Sequence, residues 1–127
     1  MPIKSTSFQN SPEPFRSAEE AWFWLMNPKG VVFTVPRPCL PNDLLKIVER
    51  LYRQRHLSMD HIRVMRFYGQ RQARPNPDRA QERHAHYVWR DALARLQTAL
   101  EMSGYVHAAI QRAVIDFSLE RAMKASA

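Results

Sequence analysis

Residues 43–69 read DLLKIVERLYRQRHLSMDHIRVMRFYG, and the periodicity of this stretch decides the fold. A step of 100° per residue from Asp43 to Arg55 puts Leu44, Leu45, Ile47, Val48, Leu51 and Tyr52 on one face of a helix. Lys46, Glu49, Arg50 and Arg53 fall on the other face. Pro41 and Asn42 give an entry, with Asn42 or Asp43 able to cap the free N–H groups. Glu49 and Arg53 have the favourable i,i+4 order. Lys46 and Arg50 share that spacing with like charge, which weakly opposes an isolated helix. Such a face suits an anion, and an ordinary solvated basic face accounts for it equally well. After the turn Arg55-His56-Leu57-Ser58, Ser58 is placed to cap a second helix that runs to Tyr68, with Gly69 as its C′ residue.

On that second helix His61, Ile62, Val64, Met65 and Tyr68 project to one side, and Asp60, Arg63 and Arg66 to the other, with Met59 and Phe67 among them. The apolar share is large enough to bury the helix nearly all round, which would keep it out of any groove. If one side is free, Arg63 and Arg66 are the natural contacts to phosphate or guanine, because a guanidinium can bond both acceptors of a guanine edge. His61 reads as a hydrogen-bonded core histidine. Leu57, Ser58 and Ile62 occupy places where DNA-binding helix-turn-helix units put an apolar turn residue, a cap and a core residue. Two positions depart from that pattern. Tyr52 stands where a small residue is usual and His56 where glycine is usual, so a tight crossing of the two helices is in doubt.

The chain has 127 residues, enough for one domain able to bury roughly two-thirds of its unfolded surface. A hydrophobic content of 45% with three tryptophans fits a true core. Fifteen arginines and four lysines oppose twelve acids, for a net charge of +7. Twelve of those basic residues lie between Lys46 and Arg95, against five acids, so the excess is central. Arginine favours planar, bidentate contacts with phosphate and carboxylate. Cys39 is the single cysteine, which excludes an intrachain disulfide and a cysteine-based zinc finger and fits a reducing cytoplasm. No apolar run approaches the ~18 residues of a membrane span, and Met1-Pro2-Ile3-Lys4 does not open a signal peptide.

Residues 1–16, broken by Pro12 and Pro14, read as a flexible arm. Ser17 and Glu20 form a capping-box pattern ahead of a short helix through Trp22, Phe23, Trp24, Leu25 and Met26. That aromatic cluster reads first as core, and second as a partner patch or base-stacking platform. Val31 to Val35 is the one strand candidate; it needs a pairing segment or is simply extended. Cys39, in a proline-rich connector, reads as a small apolar filler. Residues 70–78 read as a basic loop carrying Arg71 and Arg74. Asp78 can cap a long helix to about Met102, ended by Gly104, with Ala85, Trp89, Ala92, Leu93, Leu96 and Leu100 on one face. Arg79, Arg83 and Arg90 make a second basic stripe. His84 and His86 point about 200° apart on that helix and cannot share an ion; Glu82 and His86 have ligand spacing but no third partner, so no metal is expected. Tyr105 to about Ala122 reads as a last helix with two apolar stripes, one of them available for a homodimer or another protein.

The pattern Ala18-Glu19-Glu20-Ala21-Trp22-Phe23-Trp24, with Arg50-Leu51-Tyr52-Arg53 and Tyr68-Gly69 following, resembles a group of small basic proteins from alphaproteobacteria. The resemblance covers about residues 17–104 and implies a bacterial cytoplasmic setting without a particular activity. The expectation is therefore a mostly α protein: an arm (1–16), a helical core domain (17–104) with a central helix-turn-helix-like unit and at most one or two short strands, and a C-terminal helix (105–127). The expected function is non-enzymatic, cofactor-free binding of nucleic acid, DNA in a regulatory role ahead of RNA. Lys46, Arg50, Arg53, Arg63, Arg66, Arg71, Arg74, Arg79, Arg83 and Arg90 are the expected contacts. An adaptor that binds an acidic protein through the arginines and an aromatic patch is the alternative.

Overall fold

A computed structural model of the protein describes residues 12–107. Its regular structure is helical: α1 Ala18–Leu25, α2 Pro41–Arg53, α3 Met59–Arg71 and α4 Arg83–Met102, the last entered through a 3-10 turn, Ala80–Glu82. The mostly α class expected from periodicity is the class observed. The other three helices all pack on α4. Its buried face is Trp89, Ala92, Leu93, Leu96, Ala99 and Leu100, spaced at three and four residues, with Ala85 packed half-buried beside it. α2 supplies Leu44, Ile47, Val48 and Leu51 to the same core, and α3 supplies Met65 and Tyr68. Leu57 anchors the turn between them. Ala18, Ala21 and Trp22 of α1 close the core, so the aromatic cluster serves it; Phe23 and Trp24 pack against it half-buried.

Both serine caps form. The Ser17 hydroxyl accepts from the Glu20 N–H at 3.2 Å, and the Ser58 hydroxyl from the His61 N–H at 3.2 Å. α2 begins at Pro41, where a missing N–H costs nothing, and Asp43 reaches back to accept from the Leu40 N–H at 2.9 Å.

Several boundaries differ from expectation, each for a tertiary reason. Gly69 does not end α3; the helix runs on to Arg71, and Gln72 takes the left-handed cap at φ 55°. Gly69 is buried against α1 instead. The Trp22 indole donates to the Met65 carbonyl at 2.7 Å, and a Cβ on Gly69 would stand 2.5 Å from that indole nitrogen. Asp78 does not cap α4, because the 3-10 turn Ala80–Glu82 intervenes and Glu82 takes the N-cap position. Val31–Val35 forms no strand. It is irregular, with bends at Thr34 and Val35, and mostly exposed, with Phe33 68% accessible, tethered where the Trp24 indole donates to the Val32 carbonyl at 3.3 Å.

The arm is shorter than expected. Phe15 is fully buried, its N–H donates to the Tyr105 carbonyl at 2.9 Å, and its carbonyl accepts from His107 at 3.2 Å. This isolated parallel bridge, Phe15 to Val106, means that residues 105–107 are extended rather than the start of a helix, beyond Gly104 at φ 77°. The rest of the expected arm, residues 1–11, and of the expected last helix, residues 108–127, lies outside the described residues, and with it the proposed dimer stripe. Cys39 is buried as a filler, and burial, reinforced by Asp43, pushes its thiol up to about 11.

Gly69→Ala tests the α1–α3 contact. Alanine gains about 1 kcal/mol of helix propensity, but overpacking against a rigid, hydrogen-bonded indole costs about 1–3 kcal/mol. Because the clash is with a ring rather than a flexible chain end, net destabilisation of up to about 2 kcal/mol is expected from denaturant unfolding. A more stable Gly69→Ala variant would refute the close approach.

Candidate nucleic-acid interface

α3 is not enclosed. Asp60, Arg63, Arg66, Phe67 and Gln70 stay in water while Met65, Tyr68 and Gly69 face inward. Ile62 and Val64 are half-buried at the margins. α2 and α3 are joined by a short turn as expected, with Arg55 in the left-handed region at φ 63°, but each rests on α4 more than on its neighbour. Tyr52 remains 42% exposed, and with Leu45 (47%) and Met59 (49%) it borders an open groove of about 550 Å³ between the two helices. Glu49 and Arg66 stand on that groove as well.

All ten cations expected at the site are exposed. Four of them face the chain's own carboxylates: Arg53 with Glu49 at 3.5 Å, Arg63 with Asp60 at 3.9 Å, Arg74 with Glu19 at 3.2 Å and Arg79 with Glu82 at 3.6 Å. Arg74 has a structural task, since Glu19 also accepts from the Trp89 indole at 3.1 Å and so ties the loop to α1 and α4. Burial, and then the charge of the Glu82 carboxylate, raise the pKa of the Tyr68 hydroxyl above its ordinary value. Among the described residues Lys46, Arg50, Arg66, Arg71, Arg83 and Arg90 have no carboxylate within 4.0 Å. Arg71 belongs to α3 rather than to the loop and lies 4.6 Å over the Phe67 ring.

The cations do not all share one surface. Arg66 stands on the α2–α3 groove, whereas Arg50 stands on a second groove, between α2 and α4. The two grooves flank opposite sides of α2, as the 200° between Arg50 and Tyr52 requires. Arg95, Gln54 and His56 join Arg50 there. Arg95 was missed from sequence, although its i,i+4 spacing from Asp91 was a signal.

His61 is hydrogen-bonded as expected, but it is half-buried at the surface rather than part of the core. Its Nδ1 accepts from the Ser58 N–H at 2.9 Å, which leaves the proton on Nε2 to be donated to Asp91 at 2.7 Å. The same Asp91 oxygen accepts from Arg95 Nε at 3.2 Å. The hydrogen bond from His61, then Arg95, holds the Asp91 carboxyl below the usual aspartate range. Among the described residues no three His, Cys, Asp or Glu side chains gather to hold a metal, and no helix is long and apolar enough to cross a membrane. No protein-family model, curated protein or solved structure matches the chain.

The Asp91 bond joins α3 to α4 and makes stability pH-dependent. A lowered folded pKa contributes stability that is fully present above the unfolded value, roughly 3.9. That stability is lost as pH falls through the lowered folded value. Asp91→Asn should flatten the acid limb of a stability–pH curve while changing its neutral part less. An unchanged acid limb would show that the contact does not persist in solution.

Proposed function

We propose that the protein binds nucleic acid without catalysing a reaction, and that DNA in a regulatory role is its target. The observation that carries this is the open side of α3. A helix that buries Met65, Tyr68 and Gly69 keeps Arg63 and Arg66 in water, and among the described residues Arg66 has no carboxylate within 4.0 Å. Lys46 and Arg53 extend the positive charge along the outer face of α2. The pairs Arg53–Glu49 and Arg63–Asp60 do not count against this role. Exposed pairs of this kind contribute about 0–1 kcal/mol, so a phosphate displaces the carboxylate at small cost. Arg83 and Arg90 supply a further basic stripe on α4. Because α2 and α3 pack on α4 more than on each other, binding draws on the exposed side of α3 and does not need the tight crossing of a helix-turn-helix.

An adaptor for an acidic protein uses the same cations. It lacks the aromatic patch first assigned to it, because Trp22 lies within the core and Phe23 and Trp24 pack against it.

Arg63→Ala with Arg66→Ala should weaken binding to a duplex DNA fragment at least tenfold, about 1.4 kcal/mol. The melting temperature should change little, because both side chains are exposed. Single-stranded DNA and RNA of the same sequence distinguish the nucleic-acid classes. Unchanged duplex affinity in the double variant would remove α3 from the interface. A complex captured from lysate that survives nuclease treatment would favour the adaptor.

A further inference from the structure

The groove between α2 and α4 has a composition that the nucleic-acid proposal leaves unused. It encloses about 540 Å³, within the roughly 300–1,000 Å³ of small-molecule sites. Arg50 and Arg95 both line it, with His56 and Gln54, and no acidic side chain does. Arg95 is paired with Asp91 at 3.2 Å, whereas Arg50 has no carboxylate within 4.0 Å among the described residues, so the cleft carries an excess positive charge. Arg95 bonds Asp91 through Nε alone, which fixes the plane of its guanidinium and leaves the terminal Nη groups for another acceptor. The floor is apolar. Leu51 and Ala99 are there, and Met102 at the lip is 86% exposed, a large hydrophobic side chain left in water.

We propose that this groove binds a small amphipathic anion: one oxyanion group, phosphate or carboxylate, on a flat apolar body. The oxyanion lies between Arg50 and Arg95, where it takes planar, charge-assisted hydrogen bonds from both guanidiniums. The apolar body covers Met102 and removes its exposed surface from water. Neither half suffices alone. A bare oxyanion leaves Met102 in water, and an uncharged ring gives the two guanidiniums no acceptor. The site is separate from the proposed nucleic-acid face, since it lies on the other flank of α2 from Arg66. Asp91, which orients Arg95, is also the partner of His61 at the start of α3, so an occupied groove has a bonded path to that helix.

The test uses the full chain and four probes: phenyl phosphate, benzoate, phenol and inorganic phosphate. Binding is followed by NMR at the backbone amides of Gln54, Thr98 and Ala99. Phenyl phosphate or benzoate should shift these amides and bind at least tenfold more tightly than phenol or inorganic phosphate. Whichever of the two binds more tightly identifies the head group. Arg50→Gln and Arg95→Gln should each weaken that probe at least tenfold, with melting temperatures recorded to show that both variants fold. Arg66→Gln removes the same charge from the other groove and should change affinity less than twofold. The proposal is overturned if neither aromatic anion shifts these amides, if inorganic phosphate binds as tightly, or if the folded Arg50→Gln and Arg95→Gln variants bind unchanged. A loss of DNA affinity on Arg63→Ala and Arg66→Ala has no bearing on it, so the two proposals fail separately.

Discussion

The indole of Trp22 lies against the backbone of α3 where Gly69 has no side chain, and it donates to the Met65 carbonyl from within the core. One residue pair thus sets the distance between α1 and α3. The other contacts of α1 fall into place around it. Glu19 accepts from the Trp89 indole of α4, and Ala18 donates its N–H to Gln97 at 2.7 Å. The Gln72 amide, at the left-handed end of α3, donates to the Phe23 carbonyl at 2.8 Å. A bulkier residue at 69 would push α3 outward and disturb all of these at once. The same constraint presents Arg63 and Arg66, because it decides which side of α3 faces inward.

α3 also borders a groove toward α2 on which Tyr52 stays exposed, and both helices pack on α4. His61 secures the other flank by linking the Ser58 cap to Asp91. α3 is thus held from α1 and α4 while its solvent side stays clear. An arginine-bearing helix that is rigid on one side and open on the other spends little conformational entropy when it meets a polyanion. The grouping of charge is less simple than its total. Arg74 and Arg79 serve the chain's own carboxylates, and Arg50 belongs to a separate cleft.

Much of the fold was legible because it rests on local periodicity. Leu44, Ile47, Val48 and Leu51 announce α2, and Trp89, Leu93, Leu96 and Leu100 announce α4, at spacings that no other element satisfies. Ser17 and Ser58 read correctly as caps because capping is a contact over three residues. Gly69 was misread because a glycine at the end of an apolar pattern looks like a stop signal, and nothing local reveals an indole across the interface. Phe15 was hidden among prolines, since its partner Val106 lies 91 residues away. Val31–Val35 has strand composition without a partner, and composition does not supply one. At the candidate site each side chain's direction around its own helix was readable. Which flank of α2 met α3 and which met α4 was not, and this separates Arg50 from Arg66.

Salt dependence measures the central claim, a surface of arginines open to phosphate, most directly. The affinity of the full chain for a duplex fragment should be followed from about 50 to about 300 mM NaCl. If Lys46, Arg53, Arg63 and Arg66 each neutralise one phosphate, the logarithm of the association constant falls against the logarithm of salt with a slope of about −3 to −4. A slope near zero, or no measurable binding at the lowest salt, would contradict the account.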